Sequence, residues 1–346
     1  MPLKTPKTRK TYAVNVSMDI MERVRTLSQK EDIPVSKLSD TAYLNLLGDY
    51  ARKDGIEMMN EDTSPRETKY VLAVANHKGG VGKTTTTAAL AYLFAKKGKM
   101  HVCLIDADAQ INLTQRMQAP MDGKIDIKSA VLSRCAGADV PIGTFIVPTQ
   151  YKGIDMIPGN LTIESDKFNA EIARARVEEE INPWVEIISD IKAMHYYDII
   201  MVDTHPSIGT DTLLPMQACD DILVPMEPAE DSVAGLFQVY QNIQKSRRRA
   251  NPDIRLVGCF FNRVKQNTSS FHDYLPSARQ AIPAAIAKMN HDVPEGRVFK
   301  TTIRDSEDAR KASNFHCAVT ERFRNKKVSR DFDALYDELM EAMNRE

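Results

Sequence analysis

The chain has 346 residues, 42% hydrophobic and 27% charged, with a formal net charge of −1. That length can bury one large core with a smaller unit beside it, and that charge balance excludes a chain that is basic all over, so nucleic-acid contacts must come from local patches. No apolar run approaches the roughly 18 residues of a membrane span, the first residues lack a secretion signal's apolar core, and five scattered cysteines without a C-x-x-C pair read as reduced, buried thiols of a cytosolic protein, not a metal site or disulfide frame.

Residues 1–10 (MPLKTPKTRK) form a basic, proline-containing arm, expected to be disordered when free. In 11–51, Tyr12, Val14 and Val16 alternate with Thr11, Ala13 and Asn15 as in a half-buried strand. Ser17 is placed to cap a first helix with Ile20, Val24 and Leu27 on one stripe. Ser36 is placed to cap a second helix carrying Leu38, Ala42, Leu44, Leu46 and Leu47. This order resembles a ribbon-helix-helix module. So short a unit cannot bury these faces alone, which points to pairing with a second copy. The resemblance implies a two-stranded ribbon in the major groove, with Thr11, Ala13 and Asn15 toward the bases and Lys4, Lys7, Arg9 and Lys10 on phosphates. A small helical hairpin used only for dimerisation stays open, because Ala13 is a poor reader of bases. A polar linker spans 52–68 (RKDGIEMMNEDTSPRET).

From 69 to 346 short apolar strands alternate with amphipathic helices. Strands are expected at Val71–Ala75, His101–Asp106, Tyr197–Asp203, Asp221–Met226 and Arg255–Asn262. Helices are expected at 84–97, 162–195, 230–249, 272–290 and 328–344. The alternation predicts an α/β fold with a doubly wound, mostly parallel sheet, and ligands at the carboxyl ends of its strands.

The first strand breaks into Lys78-Gly79-Gly80-Val81-Gly82-Lys83-Thr84. Glycines let backbone N–H groups approach phosphate oxygens, and the following helix adds its positive end. Lys83 can sit on the β- and γ-phosphates and the Thr84 hydroxyl can ligate Mg²⁺. The strict G-x-x-x-x-G-K-[ST] pattern is not met, since His77 stands at its first glycine. With a second lysine at its head, the loop resembles the deviant Walker A motif of the ParA/MinD family of P-loop ATPases. The resemblance implies ATP and Mg²⁺ as cofactors, with Lys78, Gly79, Gly80, Val81, Gly82, Lys83, Thr84 and Thr85 on the nucleotide. It also implies an ATP-dependent homodimer in which Lys78 reaches across to the second subunit's phosphates.

Asp106-Ala-Asp108-Ala109-Gln110-Ile-Asn112 is similar to the family's D-x-D-P-Q-x-N switch, with Ala109 in place of proline. By that resemblance Asp108 orients and deprotonates the attacking water, and Asp106 lies nearer the metal. Phosphoryl transfer mainly demands positioning and charge neutralisation, so one carboxylate, one Mg²⁺ and two lysines suffice. The apolar run ending in Asp203-Thr-His205-Pro resembles Walker B, implying that Asp203 holds Mg²⁺ through water; His205 replaces the family's usual first proline. Asn262 and Arg263 resemble an adenine-contacting pair, although a strand-terminal Asn is also a common turn residue. Val298–Arg304 resembles a later segment that closes over the base.

Lys245–Arg249 places cations at a helix C-terminus, where they are favourable without any partner. Arg322, Arg324, Lys326, Lys327 and Arg330 form a second basic group, with Lys300, Arg304, Arg310 and Lys311 nearby in sequence. The resemblance implies non-specific, ATP-gated DNA binding through such residues, Lys300, Arg304, Arg322, Arg324, Lys326 and Lys327 among them; a solvated charged face remains the alternative. The closing amphipathic segment is acidic and is expected to pack on the domain, not to grip a membrane.

The function this implies is a cytoplasmic, nucleoid-associated partition ATPase for a plasmid or chromosome. It would dimerise on ATP, coat DNA, be stimulated by a ParB-like centromere-binding partner and in addition repress its own operon. A MinD-like positioning ATPase and an ATP-switched transcriptional repressor are the alternatives.

Overall fold

A computed structural model describes residues 65–344 apart from 122, 124, 164, 179–181, 207–209, 266–268 and 290–296. The basic arm, the ribbon-helix-helix reading of 11–51 and most of the linker lie outside the described residues.

Strands β1 (Tyr70–Val74), β2 (Val102–Ala107), β3 (Val147–Pro148), β4 (Ile154–Ile157), β5 (Ile199–Thr204), β6 (Asp221–Met226), β7 (Arg255–Val264) and β8 (Val298–Arg304) form one sheet. Its order is β3-β4-β2-β5-β1-β6-β7-β8, parallel except where β3 meets β4. Each central strand is buried on both faces. Val71, Ala73, Cys103, Ile105, Ile200 and Val202 join one core, and Leu72, Val74, Val102, Leu104, Ile199 and Met201 join the other. A continuous apolar run, without polar alternation, is the signature of such two-sided burial.

The helices are α1 (Lys83–Lys96), α2 (Asn112–Arg116), α3 (Ile127–Cys135), α4 (Asp166–Glu178), α5 (Pro183–Ala193), α6 (Thr210–Gln217), α7 (Glu230–Arg249), α8 (Ser269–Met289), α9 (Glu307–Asn314), α10 (Val319–Arg322) and α11 (Lys327–Met343). Helices α3 to α8 contribute to the core on one face, and α1, α2 and α9 to α11 to the core on the other. The fold is therefore α/β in three layers. Strands β2 and β4 lie on one side of β1 and β6 to β8 on the other, so the chain leaves the carboxyl ends in diverging directions beside β1. That divergence opens the crevice where such sheets hold ligands.

Two departures from the expected elements bear on the frame of the sheet. The helical stretch 162–195 is broken, because Asn182 caps a new helix by accepting from Trp184 N at 3.1 Å and Pro183 occupies its first turn. At the far edge, Val298–Arg304 is strand β8, paired with β7. Phe299 is fully buried against Gly258, where a Cβ would stand 2.4 Å from its ring. Helix α11 covers this edge: Glu338 accepts from Lys300 N at 2.8 Å and Thr301 N at 3.0 Å, and Asp331 accepts from Arg304 N at 3.1 Å. The acidic closing helix thus packs on the domain and blocks a strand edge that would otherwise recruit another chain.

Candidate functional site

The glycine loop leaves β1 through Asn76, whose amide donates to Pro225 O at 2.7 Å and whose Oδ1 accepts from Lys78 N at 3.0 Å. Three loop carbonyls are then taken by side chains. Lys83 Nζ donates to Lys78 O at 3.2 Å, Arg263 Nη1 to Gly80 O at 2.8 Å, and Asn262 Nδ2 to Val81 O at 2.8 Å. With its carbonyls held this way, the loop offers its N–H groups to a ligand, the arrangement of an anion nest. Gly80 and Gly82 have φ of 78° and 92°, and a Cβ on Gly82 would lie 2.2 Å from Asn262 Nδ2. Helix α1 has Gly82 at its N-cap and no side-chain cap. Its first backbone bond runs from Thr86 N to Gly82 O at 2.9 Å, so the N–H groups ahead of it have no helical acceptor.

The acids converge because β2 and β5 are neighbours in register: Asp106 and Asp203 are paired positions, both fully buried. Asp106 is fastened on both oxygens. Its Oδ2 accepts from Thr114 N at 2.8 Å and Thr114 Oγ1 at 2.7 Å, and its Oδ1 from Asp108 N at 3.2 Å. Burial nevertheless raises its pKa to about 6. Gly159 closes over it, donating to Thr114 Oγ1 at 2.8 Å where a Cβ would crowd the carboxyl at 3.0 Å. Asp108 is buried beside it and accepts from Gln110 N at 2.8 Å. Asp203 receives Thr87 Oγ1 on Oδ1 at 3.3 Å and a hydrogen bond from the Thr84 hydroxyl, while its buried Oδ2 has no hydrogen-bond partner. Burial pushes Asp203 up to about 8, reinforced by the charges of Asp106 and Asp108 and opposed by Thr84 and Lys83. Lys83 is itself buried, which lowers its pKa against the pull of Asp203 and Asp108.

Several buried carboxylates, one with an oxygen lacking a hydrogen-bond partner, favour a cation beside them. Among the described residues no group of three or more His, Cys, Asp or Glu could by itself hold a metal ion. Mg²⁺ is bound by one or two carboxylates plus phosphate oxygens and water, and the Thr84 hydroxyl and Asp203 Oδ2 are hard oxygens that could serve as its protein donors.

Of the other expected site residues, Asn262 and Arg263 lie against the loop itself. Gly79, Gly80 and the half-buried Thr85 lie along the loop and the start of α1. Arg304 is taken by Asp331 through two bonds of 2.6 and 2.7 Å, so its charge is held within the fold. Arg322, Arg324, Lys326 and Lys327 lie around the bend between α10 and α11, with Arg324, Lys326 and Lys327 exposed and Arg322 stacked on the Phe315 ring; Lys300 is exposed on β8. Thr320 Oγ1 ties that bend to α1 by donating to Ala89 O at 3.1 Å. Thr11, Ala13 and Asn15 lie outside the described residues. Sequence reasoning missed Asn76, Thr114 and Gly159. Asn76 and Thr114 are close enough to the motifs to have been suspected as turn and cap residues; nothing local marks Gly159.

The protein-family model described as an AAA domain matches residues 69–256. The chromosome partitioning protein ParA of Caulobacter vibrioides is 30% identical over 188 residues, 54% of this chain and 67% of that protein. The chain belongs to the ParA/MinD family. Two solved structures share the fold at lower identity. An ATP complex of McdA from Cyanothece has a TM-score of 0.61 at 20% identity, covering 81% of this chain and 98% of its own. The cell division ATPase MinD of Pyrococcus furiosus has a TM-score of 0.59 at 18% identity, covering 80% and 99%. This membership fits the two-lysine loop, and the sheet order places the paired acids at the loop's side. Among the described residues no helix is long and apolar enough to cross a membrane.

Proposed function

We propose that the chain is an ATP-hydrolysing partition ATPase that dimerises on Mg·ATP and binds DNA non-specifically in that state. The observation that carries the reading is the meeting of a two-lysine phosphate loop with three buried acids, one keeping an unpartnered oxygen. Lys83 and the α1 N-terminus would bind the β- and γ-phosphates, and Lys78 at the loop's head would reach a second subunit. Thr84 and Asp203 would hold Mg²⁺, whose bound charge would neutralise the phosphates and draw Asp203 into its ionised form. Asp108, held by Gln110 N, would orient the attacking water, and Asp106, fastened by Thr114, would position that segment.

For DNA, Lys300, Arg322, Arg324, Lys326 and Lys327 form the proposed face, with the 11–51 module contributing Thr11, Ala13 and Asn15 at an operator. The tie from the basic bend to α1 supports nucleotide control of that face. A ParB-like, DNA-bound protein is the proposed stimulating partner. The ParA relative favours partition over a MinD-like positioning role. DNA binding measured with ATP, with ADP and without nucleotide, on operator and on random DNA, tests the whole reading. Binding to random DNA only with ATP is expected; equal binding in all three conditions would reject it.

A further inference from the structure

The mouth of the phosphate loop carries one charged group that none of these roles uses. Glu227 follows β6 at its carboxyl end, in a turn closed by Ala229 N donating to Glu227 O at 2.9 Å. Its Oε1 accepts from Arg263 Nη1 at 3.0 Å, and its Oε2 faces Lys78 Nζ at 3.6 Å. One carboxylate therefore bridges the lysine at the head of the loop and the arginine that holds Gly80 O. Arg263 sits at φ 56°, a left-handed conformation that is uncommon for a side chain of this size, so its approach to the loop is fixed at a conformational cost.

This anion stands among the cations that a polyphosphate would seek. A ligand phosphate beside Lys78 meets Glu227 as a like charge, in a mouth only partly open to water, where such repulsion is stronger than in bulk solvent. We propose that Glu227 is an internal counter-ion that holds Lys78 on its own loop until a nucleoside triphosphate displaces it. Displacing it costs the triphosphate more than the diphosphate, so Glu227 narrows the affinity gap between the two. The inference rests on the nucleotide-binding reading and adds to it a positioning residue that restrains triphosphate affinity. The diphosphate brings one phosphate fewer to compete for Lys78, so it displaces the carboxylate less completely. The competing role for Glu227 is purely structural, fastening Arg263 to the loop.

The full chain and its E227Q and E227A variants should be titrated with fluorescent ATP and ADP analogues, with thermal melting run in parallel. The expected result is a gain in triphosphate affinity of about three- to tenfold, a smaller gain for diphosphate, and a reduced gain when the same substitutions are made in a Lys78→Ala chain. Equal or weaker triphosphate binding by both variants, whether or not the melting temperature falls, would overturn the proposal and leave Glu227 a fastener. An unaltered chain that binds neither nucleotide would overturn the nucleotide reading first, and this inference with it.

Discussion

At the amino end of the sheet Asp198 and Asp221 are each held by an arginine, whereas at the carboxyl end Asp106, Asp108 and Asp203 gather around Lys83. Asp198 Oδ2 takes Arg66 Nη1 at 2.6 Å and His101 N at 2.7 Å. Asp221 takes Arg255 Nε at 2.5 Å, and although burial raises its pKa, the guanidinium works against that rise. Among the described residues Asp106 and Asp203 make no ion pair with an arginine, and burial raises their pKa values to about 6 and about 8. One end has its charges neutralised by the fold; the other keeps an electrostatic debt that only a ligand can settle. Buried acids left in this condition are a mark of function over stability.

The largest test of that contrast removes Lys83. Lys83→Ala should weaken binding of a fluorescent ATP analogue on the order of 100-fold, the scale for truncating a buried charge that a ligand engages. Affinity within about twofold of the unaltered chain would erase the distinction between the two ends.

The contrast also has a pH signature. A group whose folded pKa lies above its unfolded value binds more protons in the native state, so stability falls as pH rises between the two. For Asp203 the window runs from the ordinary carboxyl value of 3.8 to about 8. Melting temperature measured without nucleotide should therefore decline from pH 5 to pH 8. Asp203→Asn should be more stable than the parent at pH 8 by roughly 2 kcal/mol, discounted from the full shift because Lys83 loses its partner. If that variant melts lower than the parent at pH 8, the acid cluster is not the strained element supposed here.

How much of this contrast was legible beforehand follows from chain distance. The loop 78–84, the acids ending their strands and the closing amphipathic helix are local patterns, and each lies where the sequence put it. The pairing of Asp106 with Asp203 is not local, since it depends on β5 inserting between β1 and β2. Gly159 gave no signal because its need to be glycine comes from the carboxyl of Asp106, far earlier in the chain. Strands β3 and β4, of two and four residues, were too short for any periodicity to register. Edge strand β8 was hidden by its exposed Lys300 and half-exposed threonines. Glu227 carries no local signal, because the Lys78 and Arg263 that flank it are distant in the chain.

At the amino end the expected effect is smaller and of a different kind. Arg255→Ala removes the partner of a buried carboxylate and should cost about 1–3 kcal/mol in chemical denaturation. Nucleotide affinity should not move, because Asp221 begins β6 at the end remote from the loop. A change in ATP affinity comparable to that of Lys83→Ala would mean that the two ends are coupled through the sheet.

The finest test carries the same logic to the basic face, where paired and unpaired arginines lie close in sequence. Arg304 is forked onto Asp331, whereas Arg324 is exposed and makes no ion pair among the described residues. Arg304→Ala should therefore lower stability by about 1–2 kcal/mol and leave the salt dependence of DNA binding unchanged. Arg324→Ala should leave the melting temperature alone, weaken ATP-dependent DNA binding a few-fold and reduce the slope of log affinity against log salt by about 1. The two measurements separate a charge that builds the fold from one that neutralises a phosphate. If the roles came out reversed, Asp331 would have to release Arg304 when DNA arrives, and pairing within the fold would no longer predict which cations are structural.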